Sequence, residues 1–155
     1  MPIRLIAISI LLALGMHAAA AQADRKFINV EPGAAQSPRP ISDAVLVGDT
    51  LYISGHLGVD PKTNQAPADP QAEAKLVMDR VKRTVESAGL TMDDIVSVQV
   101  FCTDLALYDT FNSVYRTYFA KGFPARAFLG TNALLRGAHF EVLGIAVRRE
   151  GVRAH

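Results

Sequence analysis

The chain has one cysteine, no tryptophan, and no marked excess of either charge, with 16 Lys+Arg against 15 Asp+Glu in 155 residues. Each scarcity excludes something. A lone cysteine, Cys102, cannot form an intrachain disulfide, so stability must come from packing or assembly. Cys102 lies within an apolar run and reads as a small buried hydrophobe rather than a reactive thiol. Charge balance without a Lys/Arg cluster gives no electrostatic footprint for a nucleic acid or an anionic membrane surface. Of the 4 histidines only His56, His139 and His155 follow the N-terminal leader, and no HxH, HExxH or cysteine pair occurs, so no metal site is expected. GxGxxG, P-loop and GxSxG patterns are missing too, which removes the usual nucleotide and acyl-transfer signatures.

What is present begins with a leader. Arg4 precedes an apolar run from Leu5 to Leu14, followed by Ala18 to Ala21, Gln22 and Ala23. This pattern predicts a signal peptide over residues 1–23, cleaved after Ala21 or Ala23, and an exported protein that is periplasmic or secreted. The run is well short of the ~20 residues that cross a bilayer as a helix, so no stable membrane anchor is expected. Loss of Arg4, the only charged side chain in that stretch besides His17's titratable ring, leaves 15 basic and 15 acidic groups. The remainder, 24–155, has the size of a single domain.

Periodicity within that domain predicts an α+β order. A short strand is expected at Lys26 to Val30, a hairpin from Ala44–Val47 and Leu51–Ser54 around Gly48, and an exposed connection from Gly58 to Asp69. A helix is expected from Asp69-Pro70 to Gly89, with Glu73 favouring the positive end of its dipole and Ala74, Val77, Met78, Val81, Val85 and Ala88 on its packing face. A strand over Ile95 to Cys102 follows, then a helix over Leu107 to Ala120 packing through Tyr108, Phe111, Tyr115 and Tyr118. Strands at Arg126 to Thr131 and Phe140 to Val147 close the domain. This order suggests a mixed sheet with two helices on one face. Val45, Val47, Val98 and Ile145 are expected on the uncovered face, which favours an oligomer that buries it.

Several polar residues stand in apolar surroundings. Arg126, between Ala125 and Ala127, offers a planar fork suited to a small organic carboxylate, or else pairs with a surface acid at a strand edge. Ser54-Gly55-His56 at a strand end can present a hydroxyl and close backbone to a ligand, or simply leave the sheet. Asn112 beside Phe111 can bond a ligand or bridge backbone groups, and Glu141 is either a pocket carboxylate or a solvated one. His56 is most simply a surface histidine, with a proton shuttle as the sharper alternative.

Ordered motifs then bring a family into view: Ser54-Gly55, Asp60-Pro61-Lys62-Thr63, Val100-Phe101 with Asp104-Leu105, and Asn112 through Tyr115. Tyr118-Phe119, Pro124-Ala125-Arg126, Gly137 through Glu141, and Ile145-Ala146-Val147 continue the series. Over residues 27–148 the chain resembles the Rid family, also called YjgF-type reactive intermediate deaminases. The resemblance implies a chorismate-mutase-like α+β domain, a homotrimer with clefts between subunits, and no metal or organic cofactor. It implies hydrolysis of 2-imino or 2-enamino acids to 2-keto acids and ammonia. By position, Arg126 would grip the substrate carboxylate, Ser54, Gly55 and Asn112 would line the cleft, and the Ala127 backbone would meet the substrate nitrogen. The family motif also covers Glu141. Three positions depart from the pattern: Ile41 replaces a tyrosine, Leu143 replaces a second glutamate that usually orients water, and Leu135 replaces a frequent proline. His56 stands where glutamine is common. The competing expectation is a non-catalytic trimer that binds small carboxylates or acts as a protein-interaction or holdase module.

Overall fold

The computed structural model describes residues 24–30 and 40–149. The expected signal peptide, most of the proline-bearing loop before residue 40 and His155 lie outside the described residues. One six-stranded sheet runs β1-β2-β3-β6-β4-β5, where β1 is Arg25–Ile28, β2 Ala44–Val47, β3 Thr50–Leu57, β4 Ile95–Cys102, β5 Ala125–Gly130 and β6 Phe140–Val147. All neighbours are antiparallel except β4 and β5, which run parallel, so the sheet is mixed.

Helix α1, Pro70–Ser87, begins where the sequence marks it: the Asp69 side chain accepts from Gln71 N at 3.0 Å, and proline occupies the first helical position. Ala74, Val77, Met78, Val81 and Val85 bury against the sheet, and Gly89 leaves the helix at φ 74°, a conformation cheap only for glycine. Helix α2, Tyr108–Tyr115, is shorter than the spacing predicts and is flanked by 3-10 turns at Leu105–Leu107 and Arg116–Tyr118. The side chains of Asp104, Ser113 and Thr117 explain the tightening. Asp104 Oδ1 accepts from Ala106 N at 2.9 Å, while Ser113 and Thr117 hydroxyls each donate at 2.7 Å to the carbonyl three residues back. The buried face of α2 is Phe111, Val114 and Tyr115, whereas Tyr108 is exposed at its tip. Phe111 closes the core against Phe128 of β5 and Phe140 of β6.

Two bulges alter which side chains face inward. On β4, an extra residue between Ile95 and Ser97 pushes Val96 outward and turns Val98 inward, so Val98 belongs to the core and not to the uncovered face as expected. On β3, an irregularity between Ile53 and His56 places both side chains in the helix-covered layer. Ser54-Gly55-His56 thus lies inside a strand that continues to Leu57, not at its exit.

The other face has no helix on it among the described residues. Phe27, Val45, Tyr52 and Ile145 lie in register across four strands there, with Phe27 63% exposed. Leu143 and Glu141 continue that face along β6, and Ala127 and Leu129 along β5.

Candidate functional site

Arg126 lies on the edge strand β5 in register with Val98, so its side chain points toward the helix layer. It enters an aromatic nest. Its Cζ stands 4.5 Å from the Tyr115 ring centroid and 5.7 Å from those of Tyr108 and Phe128. Nη2 donates to the Tyr108 hydroxyl at 3.4 Å, while Nη1 is buried with no hydrogen-bond partner among the described residues. No acid pairs with Arg126 among the described residues, so the surface ion pair weighed from sequence is not what holds it. A guanidinium kept in place by rings retains its charge for an incoming anion.

Asn112 shares this neighbourhood. On α2 it lies four residues after Tyr108 and three before Tyr115, the stripe that meets Arg126. It is half-buried, and its backbone carbonyl accepts from Arg116 Nε at 3.1 Å. The Tyr115 hydroxyl is also buried without a partner among the described residues, and burial, only partly offset by the Arg126 charge, pushes its pKa up to about 12.

The remaining expected residues form a second group on the opposite face. Glu141 sits between buried Phe140 and Val142 and pairs with Leu57 and Phe101, so it projects from the face bearing no helix. Its carboxyl covers Gly55: a Cβ at that position would stand 2.0 Å from Glu141 Oε1. Glycine is what allows this approach. Burial raises the Glu141 pKa, in keeping with its apolar row neighbours. The Ser54 hydroxyl donates to Ser42 O at 2.7 Å, tying the β3 bulge to the segment before β2. Ala127 alternates with Arg126 and lies on this second face, beside Gln99.

His56 joins neither group. It is 3% exposed, with Nε2 3.1 Å from the Thr84 hydroxyl of α1, so the β3 bulge buries it and it is not the surface histidine that was the simpler expectation. A residue that sequence reasoning placed only in a helix dipole is more important locally. Glu73 is fully buried; Oε1 accepts from His139 N at 2.7 Å and Phe140 N at 2.8 Å, and Oε2 lies 2.7 Å from His139 Nδ1. It fastens the start of β6, one residue ahead of Glu141, to α1. The readable signal was an acid four residues before Val77, on the apolar stripe of the helix.

Among the described residues, no group of three or more His, Cys, Asp or Glu converges as a metal site. No helix there is long and apolar enough to cross a membrane. A cavity of about 350 Å³ opens between the start of α1 and α2, lined by Asp69, Lys75, Ser113 and Tyr118, and includes none of Arg126, Asn112, Ser54, Gly55, His56, Ala127 and Glu141.

The profile of the family described as Endoribonuclease L-PSP matches residues 33–148, and structures of YjgF proteins share the fold. The chain belongs to the Rid, or YjgF-type, family. It is 39% identical over 113 residues to the 2-iminobutanoate/2-iminopropanoate deaminase of Escherichia coli K12, covering 71% of this chain and 88% of that protein. The human protein of the same name is 36% identical over 110 residues, covering 70% of this chain and 80% of its own. The E. coli YjgF crystal structure superposes with a TM-score of 0.72 at 36% identity, covering 80% of this chain and 99% of that one. E. coli TdcF with bound serine gives the same TM-score at 34% identity and the same coverage. These Rid relatives are named as imine deaminases, and the TdcF structure holds serine, itself a small carboxylate.

Proposed function

We propose that this Rid protein hydrolyses small 2-imino or 2-enamino acids to 2-keto acids and ammonia, with Arg126 anchoring the substrate carboxylate. The observation that carries this is the Arg126 guanidinium, seated among Tyr108, Tyr115 and Phe128 with no acidic partner among the described residues. Two parallel charge-assisted bonds to a carboxylate fit that fork. The chemistry asks little more of the site: water adds to the C=N carbon, a proton passes to nitrogen, and the carbinolamine collapses to C=O with release of ammonia. Orientation of a substrate that already reacts with water supplies most of the rate.

The cleft is proposed to lie between subunits of a homotrimer. Arg126 and Asn112 face the helix layer, whereas Gly55, Glu141 and the Ala127 side chain face the other way. A second copy packed against the face bearing Phe27, Tyr52 and Leu129 covers exposed apolar surface and brings one group beside the other. Glu141 is then the carboxyl available for proton transfer, two residues from the leucine at position 143 and on the same face. Its raised pKa favours the protonated form that can donate to nitrogen. No metal or organic cofactor takes part in this scheme. Cleavage of the leader delivers the protein to the periplasm or beyond, and neither a nucleic acid nor a membrane is a partner.

Leu143 favours a second reading, a trimer that binds small carboxylates without turning them over. Turnover of freshly generated 2-iminopropionate, measured above its spontaneous hydrolysis, separates the two. Acceleration that falls about 100-fold or more in Arg126→Ala is expected, from two lost charge-assisted bonds. A wild-type rate equal to background refutes the deaminase, and serine binding lost in Arg126→Ala would then establish the carboxylate binder.

A further inference from the structure

Arg126 has too few fixed contacts to explain its placement by hydrogen bonding. Its one bond among the described residues, Nη2 to Tyr108 Oη, is long at 3.4 Å, and Tyr108 itself is exposed. The ring nearest the guanidinium is Tyr115, and that ring is immobilised. Tyr115 is 4% exposed and is walled by Phe111 at 5.7 Å, Phe119 at 4.8 Å and Phe123 at 6.3 Å, the last inclined only 25° to it. A guanidinium is planar and carries its N–H groups in that plane. An aromatic face can therefore hold the group while leaving an edge of N–H donors for a carboxylate. Lysine, a flexible point charge, gains no such orientation from a ring.

We propose that Tyr115 is the positioning residue for Arg126: its buried ring fixes the guanidinium so that the free edge of the fork meets the substrate carboxylate. This rests on the reading that Arg126 anchors that carboxylate. The ring performs the task and the hydroxyl does not, since the hydroxyl bonds nothing among the described residues and stays neutral through the physiological range. A tyrosinate there would compete with the substrate for the same cation.

The test compares Tyr115→Leu, Tyr115→Phe and Arg126→Ala in steady-state hydrolysis of 2-iminopropionate. Tyr115→Leu is expected to raise KM about tenfold, with kcat within about threefold, the scale of a desolvated cation–ring contact. Tyr115→Phe, which keeps the ring, is expected to hold KM within about twofold. A Tyr115→Leu protein with wild-type KM overturns the proposal, and so does a Tyr115→Phe protein as impaired as Tyr115→Leu, because the hydroxyl would then carry the effect. Should Tyr115→Leu fail to fold, NMR of the unsubstituted protein decides: the Arg126 Nε–H proton, assigned by its loss in Arg126→Lys, is expected upfield of a free arginine through the ring current. An unshifted signal overturns the proposal. Unchanged turnover in Arg126→Ala instead refutes the carboxylate anchor, and the NMR shift still reports whether Tyr115 holds the guanidinium.

Discussion

Replacing Glu73 by alanine and by glutamine should give two very different proteins, and the difference follows from how its two oxygens are used. Oε1 alone takes both backbone donors, His139 N and Phe140 N, whereas Oε2 meets only the His139 ring. Glu73→Ala leaves both N–H groups without an acceptor beside Phe140, which is fully buried. Bonds to a charged acceptor contribute roughly 1.5–3 kcal/mol each, and a cavity adds to the loss, so a cost of about 3–5 kcal/mol is expected. Glu73→Gln keeps an oxygen where Oε1 was, and its amide N–H2 can donate to Nδ1 in one neutral tautomer of His139. Its cost should be about 1 kcal/mol or less. Urea denaturation at pH 7.5 and fixed protein concentration measures both, with the midpoint read against an unchanged slope. Equal losses for the two variants, or a loss below about 1 kcal/mol for alanine, would refute the clasp. Because residues 139 and 140 lead directly into Glu141, Glu73→Ala should also lower kcat/KM at temperatures where the protein remains folded.

Two further predictions bear on the site. Burial raises the Glu141 pKa, so folding favours its protonated form: stability from this group is complete below the ordinary glutamate value and is lost as pH rises through the raised one. Glu141→Gln should accordingly raise Tm at pH 7.5, change it little near pH ~4 where the unfolded carboxyl is itself largely protonated, and lower kcat throughout, which thermal melts and imine turnover will show. Mixing the impaired Arg126→Ala and Glu141→Gln subunits, by unfolding and refolding them together, should give activity above that of either parent. Mixed assemblies no more active than their parents would place both residues in the same subunit's cleft or remove one of them from the reaction.

Much of the fold was legible because both ends and the middle of several elements carry independent signals. Asp69-Pro70 and Gly89 bracket a helical stripe, and β4 and β6 begin and end where alternation predicts. What failed was alternation across a bulge. One extra residue inverts the facing of everything beyond it, and a bulge is a property of a strand with its partner, which periodicity in one segment does not report. Val98 was misplaced for that reason, whereas His56 was read as a surface residue from the usual exposure of histidine, which the β3 bulge overrides. The candidate residues stood out by residue type: Arg126 between alanines, Asn112 on an aromatic helix, Gly55 next to a hydroxyl. Their division between two faces was not legible, because it depends on the register of β5 with β4 and of β6 with β3.

That division follows from topology. Strands β4 and β5 are parallel, so the chain must cross over between them, and α2 is that crossover. A crossover helix packs its inner stripe over the strands it joins, which sets Tyr108 and Tyr115 above β5 and encloses Arg126 on arrival. Glu141 belongs to β6, which lies beyond β4 from β5 and joins it by antiparallel pairing, and its side chain leaves by the other face. Under the proposed function, a small imino acid could not span the sheet to touch both groups in one protomer. The outer edge of β5 has no partner strand among the described residues, and Arg126 sits on that strand, with exposed Leu129 on it and exposed Phe123 just before it. An edge strand with apolar side chains is a surface that folded proteins ordinarily cover. In the proposed trimer, packing the helix-free face of a neighbour there would remove exposed apolar residues and bring Gly55 and Glu141 to the cleft in the same step, so that proposal makes assembly and site formation one requirement rather than two.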